Sequence, residues 1–123
     1  MDDYIDVSDI DPGELLAGLY NAARPLGLGI FADMQRGGVP MTAEEARSII
    51  SDGGEYGKLK AAGLTVLPKL RPGEWKVDYV HGRPLKVRVF NGQLFGSWLY
   101  DRDHGPGACA RVVASLRLQK GGH

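Results

Sequence analysis

The chain has 123 residues, with 15 Lys and Arg against 15 Asp and Glu, 43% hydrophobic residues, 24% charged residues and one cysteine. This is the composition of one soluble domain with a single core, and one cysteine excludes both an internal disulfide framework and a multi-thiolate metal site. No run of about 18 apolar residues exists to span a membrane, and the acidic start, MDDYIDVSDID, is not a secretory leader, so the cytoplasm is the expected compartment.

The first element is a helix. Asp11 suits the N-cap, Pro12 the first helical position and Glu14 the positive end of the helix dipole. Leu15, Leu16, Leu19, Ala22 and Ala23 then recur at helical spacing, and Pro25 with Gly27 ends the run near Ala23. The stretch LGLGIFADM reads as a short strand or a loop packing into the core, and RGGVP as a turn. A second helix opens at Thr42, whose spacing from Glu45 is that of a capping box. Ala46, Ile49 and Ile50 form its buried face, and Gly53-Gly54 stops it. Residues 54–73 carry little pattern; LTVL within them is a candidate strand, which Pro68 and Pro72 confine to an edge or a loop.

From Trp75 the register follows from pairing. A three-residue loop at His81-Gly82-Arg83 sets Tyr79 opposite Leu85, Val77 opposite Val87 and Trp75 opposite Val89, all on one apolar face. A two-residue loop mixes the faces, because a slip of one residue turns every side chain over. Asn91-Gly92 is the strongest hairpin signal in the chain. It pairs Val89 with Leu94, Val87 with Gly96 and Leu85 with Trp98 on that same face. A last helix is expected over roughly 106–118, with Cys109, Val112, Val113 and Leu116 as its apolar stripe. The fold class is therefore α+β: a single small domain, 1–123, in which an antiparallel β-meander of about residues 75–99, open to extension by one or two strands, carries two or three helices on one face. So modest a core is helped by association, and a homo-oligomer is expected.

Charge is divided along the chain. Residues 1–55 hold eleven acids and three bases, and residues 56–123 hold four acids and twelve bases. Self-neutralisation within one fold, oppositely charged subunit patches and an anion site in the basic half all fit such a split. General nucleic-acid binding does not, because the acidic half repels phosphate. On the non-core face of the meander stand Lys76, Asp78, Lys86 and Arg88 with Phe95 and Ser97, a set that suits a planar anionic ligand as well as an ordinary wet sheet face. The string LYDRDHGPGACA places Gly105-Pro106-Gly107 at a helix start, where exposed amides attract anions; there Asp103 serves equally as a plain helix cap. It lacks the pattern of a nucleoside-triphosphatase P-loop.

The candidate ligand-binding residues are thus Asp78, Tyr79, Arg83, Lys86, Arg88, Tyr100, Arg102, His104, Gly105 and Gly107. Tyr79 stays double-valued, since the pairing also places it on the core face. Cys109 near a helix start is a weak nucleophile candidate and fits the apolar stripe better. Asp101, Asp103 and His104 are too local a group to argue for a metal. No catalytic residue, metal or cofactor is assigned.

LLAGLYNAARPLGLG (15–29) with MTAEEARSII (41–50), and VDYVHGRPLKVRV (77–89) with LYDRDHGPGACARVV (99–113), resemble the two halves of a family of small uncharacterised phage, prophage and bacterial proteins. These segments cover a little under half of the chain. Two departures stand out: His104 replaces the family's Asn, and residues 54–74 look like an insertion. The resemblance implies a non-enzymatic accessory protein, cytoplasmic in the host cell if phage-encoded. By analogy of type it suggests an anti-defence protein that sequesters a nucleotide signal. The alternative is an inhibitor or adaptor that meets a host defence protein through its acidic N-terminal half.

Overall fold

The computed structural model describes residues 4–23, 39–51, 73–80 and 83–121. The expected strand-or-loop after the first helix, most of RGGVP, the LTVL candidate and positions 81 and 82 of the loop lie outside them. In chain order the described elements are β1 (Tyr4–Asp6), α1 (Pro12–Ala22), α2 (Ala43–Ser51), β2 (Glu74–Val80), β3 (Arg83–Phe90), β4 (Gln93–Phe95), α3 (Ser97–His104) and α4 (Ala108–Gly121). The strands form one antiparallel sheet in the order β1-β4-β3-β2, with helices against its apolar face, so the fold is α+β.

The helix starts follow the sequence signals. The Asp11 carboxylate accepts the Glu14 amide at 3.2 Å, with Pro12 in the first turn. The Thr42 hydroxyl accepts the Glu45 amide at 3.1 Å. Leu15, Leu16, Leu19 and Tyr20 of α1 are buried, and Ala46 of α2 meets them. The two helices pass closely at Gly13: a Cβ there would stand 2.5 Å from the Ala43 carbonyl oxygen, so any larger side chain forces them apart. Asn21 ties α1 to the segment before α2, its amide group donating to the Met41 carbonyl at 3.1 Å and accepting the Met41 N–H at 2.8 Å.

In the sheet, Trp75 opposite Val89, Val77 opposite Val87 and Val89 opposite Leu94 pair as the sequence indicates, all inward and buried. Asn91 (φ 50°) and Gly92 (φ 76°) make the β3–β4 turn in the left-handed region. A Cβ on Gly92 would lie 2.9 Å from the Ser8 Cα, which fixes glycine there.

Three expectations are corrected. First, Val80 pairs with Arg83, so the β2–β3 connection has two residues, and Tyr79 faces Pro84 instead of Leu85. The register is recovered by a bulge: between the Val77–Val87 and Tyr79–Pro84 pairs, β3 supplies Leu85 and Lys86 against Asp78 alone. A bulge adds one residue and turns the following side chains over. Leu85 thereby stays in the core, Val80 is buried at 2% exposure, and Tyr79 comes out at 46%. Second, the meander stops at Phe95. Gly96 takes φ 70° and starts α3, so the Val87–Gly96 and Leu85–Trp98 pairs do not form and Trp98 is 65% exposed. Third, the last helix begins at Ala108, two residues beyond Pro106, and runs to Gly121; Cys109 and Val113 are its most buried residues. The meander is extended, as its open edge allows, by one strand: β1, beside β4.

Candidate functional site

The side chains of β1, β4, β3 and β2 line up in rows across the sheet. Ile5, Leu94, Val89 and Trp75 are successive partners and form the inward row. On the opposite face, one row runs Tyr4, Phe95, Arg88, Lys76 and the next runs Asp6, Gln93, Phe90, Glu74. Directly opposed residues have Cβ atoms about 5 Å apart. The first row is therefore a graded strip, with two aromatic rings at the β1–β4 side and two cations at the β3–β2 side. The Tyr4 and Phe95 rings lie 5.7 Å apart, tilted by 47°.

Both cations are held in place. Arg88 donates through Nε (3.2 Å) and Nη2 (2.9 Å) to one oxygen of Glu74, a carboxylate with only 6% of its side chain exposed, while Arg88 itself is 54% exposed. A sheltered carboxylate gripping one edge of a half-exposed guanidinium fixes its plane and leaves Nη1 outside that contact. Lys76 stands 3.8 Å from the Asp78 carboxylate. At the bulge, Lys86 sits over the Tyr79 ring, 4.8 Å from its centroid, with Nζ 3.5 Å from the hydroxyl.

The residues expected to share one site divide into three groups. Asp78, Tyr79, Lys86 and Arg88 lie on this outer face, joined by Lys76 and Phe95. Arg83 and Tyr100 serve the C-terminus of α1 instead. The Tyr100 hydroxyl donates to the Leu19 carbonyl at 2.8 Å, and Arg83 Nη1 donates to the Tyr20 carbonyl at 3.1 Å, with its guanidinium 4.6 Å above the Tyr20 ring. These are among the carbonyls a helix end leaves without intrahelical donors, and a cation there also suits the dipole. Tyr100 is 1% exposed, and burial pushes its phenol well above the usual range. His104 is buried against the Tyr100 ring (4.4 Å), with Nε2 2.7 Å from the Pro84 carbonyl oxygen.

The third group is the turn between α3 and α4. Gly105 (φ 115°) ends α3, its N–H donating to the Asp101 carbonyl at 2.7 Å, and Gly107 (φ 74°) leads into α4. The amides at the start of α4 already meet an anion. The Asp101 carboxylate of α3, eight residues back in the chain, accepts the Cys109 N–H at 2.9 Å. Asp101 thus takes the capping role read for Asp103, which instead pairs with Arg102 at 3.4 Å. The Cys109 thiol is pushed up to about 12 by burial and by the Asp101 carboxylate, the reverse of an activated nucleophile.

Elsewhere two carboxylates of the acidic N-terminal half meet bases of the same chain. Arg117 of α4 pairs with Asp9 at 3.3 Å and donates to the Asp6 carbonyl, and Arg47 pairs with Asp11 at 3.0 Å. Among the described residues no group of three His, Cys, Asp or Glu side chains is gathered to hold a metal ion, and no helix is long and apolar enough to cross a membrane. Tyr4 and Glu74, both part of the outer face, escaped the sequence reading. The three residues of β1 are too few for a period, and Glu74 precedes the first apolar residue of β2. Comparison with family models, with curated proteins and with solved structures finds no match to this chain.

Proposed function

We propose that the protein is a non-enzymatic binder of a small nucleotide-like ligand, held on the outer face of the sheet. The observation that carries this is the row Tyr4–Phe95–Arg88–Lys76, which sets stacking surface and fixed positive charge side by side in register. A base stacked on an aromatic side chain contributes about 1–3 kcal/mol. A charge-assisted hydrogen bond from a guanidinium contributes about 1.5–3 kcal/mol more. Together they favour one molecule that is planar at one end and anionic at the other. The orientation follows from the row: base over Phe95, phosphate over Arg88. Sequestering a nucleotide signal is a role that stoichiometric binding of this kind would serve.

The test is equilibrium titration with nucleoside 5′-monophosphates and 5′-diphosphates, together with recovery of the intact nucleotide on denaturation. Phe95→Ala and Arg88→Ala should each weaken binding about tenfold or more. Arg102→Ala, away from the face, should leave it unchanged. Retention of full affinity by both Phe95→Ala and Arg88→Ala, or no binding of any nucleotide by the unaltered protein, would refute the reading.

A further inference from the structure

The β3 bulge puts Lys86 in a conformation its side chain disfavours. Its φ is 53°, in the left-handed region that Gly, Asn and Asp enter readily and lysine rarely. With Val80 paired to Arg83, the core requires a bulge here so that Val80 is buried while Val77 still meets Val87, but a glycine would meet that need with less strain. What lysine adds is a charge projected onto the outer face and steadied on the exposed Tyr79 ring. Among the described residues, Arg88 and Lys76 of this face each pair with a carboxylate, whereas Lys86 contacts an aromatic ring and hydroxyl. Among the described cations of the face, it is the one with no carboxylate against it. Lys86 stands two residues before Arg88 on the same strand, roughly 6–7 Å away at the usual rise per residue.

Resting on the reading above, we infer that Lys86 is the contact for a second phosphate, so that the ligand is a nucleoside 5′-diphosphate or a longer polyphosphate and not a monophosphate. The base lies over Phe95 and the first phosphate meets the edge of Arg88 away from Glu74. The chain of phosphates then runs along β3 to the ammonium over Tyr79. The strain at position 86 is kept because the residue binds, as backbone strain at functional sites commonly is.

The probes are AMP and ADP, and GMP and GDP, without magnesium, titrated against the unaltered protein, Lys86→Gly and Lys86→Asn. Both replacements accept the left-handed backbone and lack the charge. The unaltered protein should prefer diphosphate over monophosphate by about tenfold, the size of one charge-assisted hydrogen bond. Each variant should bind monophosphate as before and lose that preference, while Lys86→Gly melts at a higher temperature. A diphosphate preference that survives in both variants overturns the inference, as does equal binding of mono- and diphosphate by the unaltered protein. In either case the sheet-face reading stands. Absence of any nucleotide binding removes that reading and this inference together.

Discussion

Replacing Tyr100 with phenylalanine separates the two roles its sequence position allows. In the structure the hydroxyl is fully buried and serves the Leu19 carbonyl at 2.8 Å. Tyr100→Phe keeps the ring, and with it the contact to His104 at 4.4 Å, but leaves a buried carbonyl of the last turn of α1 without that donor. A buried acceptor stripped of its partner costs about 1–3 kcal/mol. For a chain of this size that corresponds to a fall in Tm on the order of 4–10 °C. Urea unfolding followed by circular dichroism should show a lower midpoint with an unchanged slope, because the surface exposed on unfolding is the same. Nucleotide titration of the variant should match the unaltered protein. If the midpoint does not move, the hydroxyl does not serve the helix end. If affinity falls while stability holds, Tyr100 faces ligand and its assignment to the α1 terminus is wrong.

Asp101→Ala should cost about 1 kcal/mol, the value of a lost N-cap, since the Cys109 amide loses its acceptor. Asp101→Asn, which keeps an oxygen in place, should cost less, and comparing the two by urea midpoint checks that the cap is the cause. Alkaline pH should destabilise the fold through Cys109. Its folded thiol holds its proton up to about 12 while the unfolded one releases it near 9.0. The folded state therefore binds more protons across that window, and stability falls as pH rises above about 9, by up to about 1.4 kcal/mol per pH unit for one group. Cys109→Ala should show a shallower fall in midpoint between pH 8 and pH 10, and an unchanged slope would remove the thiol as its source.

Much of the fold is legible locally because its signals are local. Asp11 with Pro12, Thr42 with Glu45 and Asn91-Gly92 each satisfy a backbone requirement within four residues, and each is found where the sequence places it. The bulge is different. A three-residue loop without a bulge and a two-residue loop with one give identical partners for Trp75 and Val77, so alternation cannot tell them apart. Only the direction of Tyr79 distinguishes them, and that depends on burying Val80. The end of β4 was hidden for a similar reason: LFGSWLY alternates well enough for a strand, and Gly96 is the sole interruption. Tyr100, Arg83 and Asp101 share a third cause. Each satisfies a backbone group at a helix end 8 to 81 residues away, and the pairing is set by how α1, α3, α4 and the sheet assemble.

Where described acids of the N-terminal half meet a base, the pair positions groups more than it stabilises the fold. Exposed ion pairs such as Asp9–Arg117 and Asp11–Arg47 add little to stability, because water and salt screen them. Their effect is to fasten the segment between β1 and α1 to α4 and α2, and so to hold β1, with Tyr4, at the edge of the sheet. On the outer face Glu74 and Asp78 offset two of the three cations, so overall charge does not draw an anion there. Direction does. The rings lie toward β1 and the ammonium of Lys86 toward the bulge, with the guanidinium of Arg88 between them. A simple anion gains little from such a face, whereas a molecule aromatic at one end and multiply charged at the other matches all three positions at once. Affinity should therefore depend on joining the two ends in one molecule: inorganic diphosphate and free nucleoside, added together, should not reproduce the binding of the nucleoside diphosphate.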